Sequence, residues 1–351
     1  MLRLLEIVAR PLAIGLAVLL LVGAANARAE TIRVGVSWSN FQEERWKTDE
    51  AAMRDRLEAL GAKYLSADAQ SSTEKQLADI ETLLARGAQV LVIVAQDAEA
   101  IVPAISLALA EGVPVIGYDR LIEMPGVFYL SFDNVEVGRM QAREIARVRP
   151  SGRFAFIKGA WTDPNADFVH QGQLEVLQPA IDAGTIEVVG DQYVDGWLPE
   201  LAQRVTEQIL TANDDRVDAF VCSNDGMAGG VFAALRAQGL EGLPLSGQDG
   251  DHSALNRVAL GHQTVSVWKD ARSLGARAAE VAVALYRGEP ASSLEGADRW
   301  NSGPRKLALD SILLAPRAIT RDNLGVVMEA GWVSKAAVCR GVSTNPPEAC
   351  R

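Results

Sequence analysis

QVLVIVAQDAEAIVPAISLALAEGVPVIGYD, residues 89–119, decides the fold. QVLVIV (89–94) and VPVIGYD (113–119) are short apolar runs, and the segment between them, ending near Ala110, has the length and composition of a helix. Neither run alternates apolar with polar residues, so both faces of each strand must be covered. Strand, helix and strand in this order specify a βαβ unit of a parallel sheet with helices on both sides.

The same rhythm extends in both directions. Upstream lie a strand IRVGVSW (32–38), a helix from about Glu44 to Leu60 ended by Gly61, and a strand KYLSA (63–67). Ser71-x-x-Glu74 reads as a capping box opening a helix that runs to about Arg86, where Gly87 stops it. Downstream, RFAFIKG (153–159) restarts the pattern. It continues through IEVVGDQYV (186–194), a helix near Leu198 to Ala212, VDAFVCS (217–223), a helix from about Ala228, and LPLSGQD (243–249). Two doubly wound α/β units in tandem predict two lobes, which the chain length of 351 residues accommodates.

The first 29 residues read as a leader rather than as part of the fold. Arg3 and Arg10 precede an apolar run from Leu12 to Ala25, and Ala27-Arg28-Ala29 is a small-x-small cleavage pattern. The run is shorter than the roughly 20 residues of a spanning helix. Cleavage before Glu30 predicts an exported, periplasmic protein. Three Arg and one Glu leave with the leader, so the net charge moves from −11 to −13. That acidity argues against nucleic acid and anionic membrane surfaces as partners. Cys222, in DAFVC, reads as a buried small hydrophobe. Cys339 and Cys350 flank Pro346-Pro347 near the end of the chain, where they either close a small loop or remain free thiols.

Open parallel sheets bind ligands at the carboxyl ends of their strands. Polar and aromatic residues gather at those ends here: SNFQEERW (39–46), Asp119-Arg120, Asp163-Pro164-Asn165, Asp195-Gly196-Trp197, Ser223-Asn224-Asp225, Gln248-Asp249 and Trp268-Lys269. Singly, each reads as a turn former or a surface charge. As a set they have the chemistry of a monosaccharide site. Asp119, Asp163 and Asp249 would accept from hydroxyls, while Arg45, Arg120 and Lys269 would donate. Asn165 and Asn224 would do both, and Trp46 and Trp197 would offer flat surfaces. Three negative and three positive charges nearly cancel, as a closed site requires.

Enzymatic patterns are thin. There is no G-x-S-x-G, H-E-x-x-H, C-x-x-C or phosphate loop, and GMAGG (226–230) lacks dinucleotide spacing. His170, His252 and His262 are scattered without metal-ligand spacing, so neither a metal nor a cofactor is expected. Carboxylate pairs alone keep a glycosidase open on residue types. The Arg and Lys content favours capture over cleavage, and the expectation is a binding protein rather than an enzyme.

EERWKTD (43–49), GYDR (117–120), YLSFDNVEVG (129–138), VVGDQYVDGWLPE (188–200), SNDGMAGG (223–230) and SGQDGD (246–251) resemble the ribose/galactose/xylose group of type I periplasmic binding proteins, and most closely its xylose-binding members. The likeness spans roughly residues 32–334, with ERW and DGWLPE its most specific segments. It implies two Rossmann-like lobes joined by a three-crossing hinge. It also implies D-xylose as ligand, an ABC permease and ATPase as partners, a monomer, and in some members a chemoreceptor. Another aldose, or a sugar sensor feeding a receptor or kinase, is the alternative. By the same likeness Arg45, Asp119, Arg120, Asp163, Asn165, Asn224, Asp249 and Lys269 would hydrogen-bond the sugar. Trp197 would stack on the ring, with Trp46 as a second wall.

The hinge crossings are expected near Asp133-Asn134, Lys269-Asp270 and Asp310-Ser311. This gives an amino-terminal lobe of 30–133 and 270–310, a carboxyl-terminal lobe of 134–269 and 311–334, and a tail of 335–351. Two features depart from the family pattern. Trp161 stands where a smaller residue is expected and is read as reshaping one wall of the site, and the tail carries both outlying cysteines.

Overall fold

A computed structural model describes residues 31–351; the leader expected over 1–29 and its cleavage point lie outside the described residues. The first lobe opens with β1 (Arg33–Trp38), α1 (Glu44–Ala59), β2 (Lys63–Asp68), α2 (Thr73–Ala85), β3 (Val90–Ile93), α3 (Val102–Ala110), β4 (Val115–Tyr118) and β5 (Val127–Phe132). Apolar strands bury both faces, as the sequence requires. Val34, Val36, Val90 and Val92 point to one side, against Met53 and Leu57 of α1. Leu91 and Ile93 point to the other, against Ile80 and Leu83 of α2 and Ile105 of α3.

The second lobe runs through α4 (Asn134–Val148), β6 (Gly152–Lys158), α5 (Pro164–Asp182), β7 (Ile186–Tyr193), α6 (Pro199–Ala212), β8 (Ala219–Cys222), α7 (Asp225–Ala237), β9 (Ser246–Asp249), α8 (His252–Leu260) and β10 (Val265–Trp268). Phe154, Phe156 and Val221 pack on α4 and α5, while Ala155, Ile157 and Phe220 pack on α6 and α7. Cys222 is fully buried on that second face, as a free thiol.

The chain then returns to the first lobe with α9 (Ala271–Tyr286), whose Leu274, Ala278 and Val281 join the core beneath β1. Strands β11 (Asp298–Trp300) and β12 (Leu309–Leu314) complete a sheet of order β11-β12-β5-β4-β3-β1-β2, parallel except at the β11 edge. Strand β13 (Arg317–Ile319) returns to the second lobe, antiparallel to β10, and short helices α10 (Gly325–Glu329) and α11 (Lys335–Val338) follow. The second sheet reads β7-β6-β8 and β9-β10-β13, bridged by a parallel contact of Phe220 with Leu245.

The chain therefore passes between lobes after Phe132, after Trp268 and after Leu314. The third passage corrects the expected crossing at Asp310-Ser311. Ser311 to Leu314 pair with Tyr129 to Phe132, so the strand stays in the first sheet until its apolar run is spent. Two helix starts also move. Ser71 lies at φ 64° and cannot cap, whereas Ser72 has extended backbone and its Oγ accepts from the Lys75 amide at 3.1 Å. Helix α7 begins at Asp225 rather than near Ala228, because the Asn224 side chain caps it by accepting from the Met227 amide. Cys339 and Cys350 are joined in a disulfide, which resolves the two readings of the tail. Among the described residues no helix is long and apolar enough to cross a membrane.

Candidate functional site

Both sheets present the carboxyl ends of their strands to the space between the lobes. Arg45 and Trp46 stand in the first turn of α1, and Asp119-Arg120 follow β4. From the other lobe, Asp163 caps α5, with Asn165 one residue into the helix, and Trp197 ends a 3-10 turn after β7. Asn224 caps α7, Asp249 ends β9, and Lys269 follows β10. All ten predicted residues line one cavity, together with Glu43 and Gln248.

The charges are paired across the cleft. Arg45 Nη1 lies 2.9 Å from Asp119 Oδ2 in its own lobe and 3.3 Å from Asp249 Oδ1 in the other. Lys269 Nζ lies 3.1 Å from Asp249 and 3.8 Å from Asp119, and Arg120 Nε lies 3.0 Å from Asp163. Each of these six side chains is at most 6 % exposed. Such burial would be prohibitive for lone charges and is tolerable for a network that is paired and hydrogen-bonded. Asn165 Nδ2 donates to the Asp119 carbonyl at 3.1 Å and its carboxylate at 3.2 Å, joining the lobes again. Below the cavity, Asp49 receives the Arg45 Nε at 3.2 Å and the Tyr118 hydroxyl.

The carboxyls divide by environment. Burial alone would push Asp119 up, but Arg45, Lys269 and Arg120 together hold it below the usual carboxylate range. Burial wins at Asp163 and Glu43, whose carboxyls sit above their ordinary values against the pull of Arg120. Burial also pushes Asp49 up to about 6 despite Arg45.

The aromatic walls are held from behind. Trp46 Nε1 donates to Glu43 Oε2 at 2.5 Å, and the Arg45 guanidinium carbon lies 4.4 Å from the Trp46 ring centroid. Trp197 lies against Gly159, where an added Cβ would come within 2.0 Å of the indole. Asp119, Trp197 and Asp249 all have positive φ, at 61°, 60° and 101°. Three non-glycine residues in that sparsely populated region, all lining one cavity, mark a site whose geometry is imposed by its surroundings. Two buried polar atoms of the lining, Trp197 Nε1 and Gln248 Oε1, have no protein partner. A donor and an acceptor kept unsatisfied inside a cleft are what an uncharged, hydroxyl-bearing ligand would complete.

Glu43 and Gln248 were absent from the predicted set. Their signal was present, since each lies within two residues of a predicted ligand at the same strand end. Trp161 corrects an expectation in the other direction. It is 69 % exposed and does not line the cavity, because the loop after β6 turns its side chain outward while Asp163 turns in. Among the described residues no group of His, Cys, Asp and Glu could hold a metal ion.

Two doubly wound lobes, three crossings and a charge-paired cavity between them define a protein that encloses a small polar ligand. The chain belongs to the periplasmic binding protein family: the model of the periplasmic binding protein domain matches residues 34–290. A D-xylose-binding periplasmic protein of Haemophilus influenzae is 38 % identical over 330 residues, covering 92 % of this chain and 98 % of that protein. The D-xylose-binding periplasmic protein of Escherichia coli is 39 % identical over 308 residues, covering 87 % and 92 %. Among solved structures, a carbohydrate transporter solute-binding protein from Chloroflexus aurantiacus, in complex with D-glucose, superposes with a TM-score of 0.79 at 28 % identity. That match covers 88 % of this chain and 98 % of the other.

Proposed function

We propose that this protein captures D-xylose in the periplasm, encloses it between its lobes, and delivers it to an ABC permease driven by an ATPase. The observation that carries the reading is the cavity itself. Paired charges line it, and Trp197 Nε1 and Gln248 Oε1 await partners. The two relatives named for D-xylose supply the identity of the sugar. Arg45, Arg120 and Lys269 would donate to sugar hydroxyls, and Asp119, Asp163 and Asp249 would accept. Asn165 and Asn224 would do both, with Trp197 and Trp46 covering the ring faces.

The mechanism is differential binding. A ligand that touches both lobes only when they are closed favours the closed state, and moving a mostly open population to a mostly closed one requires about 5.5 kcal/mol of preference. The chemistry of the site is non-covalent: it offers hydrogen bonds and flat surfaces, and the reading assigns it no catalytic residue. Calorimetric titration with D-xylose, D-ribose, L-arabinose, D-glucose and D-galactose tests the proposal. D-Xylose should bind most tightly; heat from another sugar with none from D-xylose would reassign the ligand.

A further inference from the structure

Asp249 and its successor Gly250 both have positive φ, at 101° and 76°, so the turn carrying one of the cavity's carboxylates is held by its surroundings rather than by local preference. Its amide side is fixed inside the second lobe. The Gly250 N–H donates to Asp225 Oδ2 at 3.0 Å, and Ser266 Oγ lies 3.1 Å from the same nitrogen. Its carbonyl side is fixed from the last stretch of the second lobe, where Trp332 Nε1 donates to the Gly250 carbonyl at 2.6 Å.

Trp332 also reaches the second hinge passage. Its ring lies 5.9 Å from that of Trp268, the residue before Lys269, and the Arg272 guanidinium carbon lies 5.3 Å from its centroid. Arg272 Nη1 donates to the Ala330 carbonyl at 2.9 Å. The segment holding Trp332 is anchored in turn. Val333 and Val338 pack with Leu255 and Val258 of α8, and Asn256 Nδ2 donates to the Val338 and Arg340 carbonyls at 2.7 and 2.9 Å. The Cys339–Cys350 disulfide closes the end of the chain over the same helix.

We propose that Trp332 is a positioning residue for the ligand site, setting Asp249 through the Gly250 carbonyl and Lys269 through Trp268, with the disulfide-closed tail holding it in place. Asp249 and Lys269 pair at 3.1 Å, so one indole braces both members of a cavity ion pair without touching the cavity. This rests on the sugar-binding reading for its consequence and on geometry for its cause, and the two can be tested apart.

Trp332→Phe keeps a ring against Trp268 and Arg272 and removes the N–H. Loss of one such hydrogen bond should raise the Kd for D-xylose roughly three- to tenfold. The melting temperature of the sugar-free variant should stay within about 3 °C of the parent. Trp161→Phe, on the exposed tryptophan, should change neither. In the sugar-free proteins, hydrogen exchange at Gly250, Asp251 and His252 should quicken in Trp332→Phe, while exchange in α2 of the other lobe stays unchanged. Parental affinity in the variant, unaltered exchange at that turn, or an affinity loss matched by general destabilisation would each overturn the proposal. A parent that binds no sugar in the panel removes the sugar reading alone, and the exchange comparison still decides whether Trp332 holds the turn.

Discussion

Trp197 shows how much of the site is set by single residues beneath it. Its indole occupies the space a side chain at position 159 would need, since a Cβ there would lie 2.0 Å from the ring. Gly159→Ala should therefore displace Trp197 and weaken D-xylose binding, as Trp197→Ala should. Both should raise the Kd roughly five- to thirtyfold if the ring stacks on the sugar, a contribution of roughly 1–2 kcal/mol. Calorimetry on the two variants checks this, and parental affinity in Trp197→Ala would remove the residue from the site.

Asp49 gives a pH signature at the same scale. Its carboxyl is pushed up to about 6 by burial, against an ordinary value of 3.8, so the folded state prefers it protonated. That contribution to stability is complete below about pH 4 and is lost as the pH rises through 6, up to roughly 3 kcal/mol at about 1.4 kcal/mol per unit. Parent stability relative to Asp49→Asn should accordingly fall between pH 4 and 7 in denaturant titrations, and a flat difference would refute the assignment. The residue types of the site were legible because each predicted ligand follows a strand. The left-handed backbones of Asp119, Trp197 and Asp249 were not, because tertiary contacts impose them and no local preference announces them.

At the scale of elements, glycines decide how closely helices cross. A Cβ on Gly138 of α4 would lie 1.9 Å from the Val169 carbonyl oxygen of α5, and one on Gly172 of α5 would lie 1.9 Å from the Val135 carbonyl oxygen of α4. The contacts are reciprocal and made to backbone, so no side-chain rotation relieves them. Gly138→Ala should force the two helices apart and cost about 1–3 kcal/mol or more, despite the better helix propensity of alanine. A melting temperature equal to or above the parent's would show that the pair can separate freely.

Strands β1 to β4 and β6 to β9 were legible as short runs of the right length, whereas β5 was not read as a strand and β10 was marked only by its end at Trp268-Lys269. The exact end of β12 was not, because Leu309 to Leu314 pairs with β5 through backbone that the residue pattern does not report. The shift of the cap from Ser71 to Ser72 has the same origin. Two serines offer the same side chain, and only the backbone angle at Ser71 chooses between them.

For the whole molecule the decisive feature is that ion pairs run between the lobes as well as within them. Arg45 of the first lobe holds Asp249 of the second, and Lys269, at a hinge passage, reaches Asp119 of the first. The rim adds an Ala98 amide donating to the Thr162 carbonyl at 3.2 Å and a Glu44 carboxylate 3.1 Å from His252 Nδ1. With Arg120 and Asp163 at 3.0 Å, three charge pairs cross the cleft, and they favour closure only as far as they compensate the desolvation of their members. A sugar that satisfies the remaining polar atoms on both walls would tip that balance.

Small-angle scattering should therefore record a smaller radius of gyration for the parent at saturating D-xylose than without it. Asp249→Asn removes the carboxylate shared by Arg45 and Lys269, leaving two buried cations competing for Asp119. Its affinity should fall by tenfold or more, in line with breaking a buried pair, and the sugar concentration that compacts the parent should leave the variant open. If the parent binds sugar with no change in dimensions, the closure mechanism fails even though binding stands. If Asp249→Asn closes at the parental sugar concentration, the ion pairs made by Asp249 are not what couples binding to closure, and the sugar, the rim and the Arg120–Asp163 pair suffice to join the lobes.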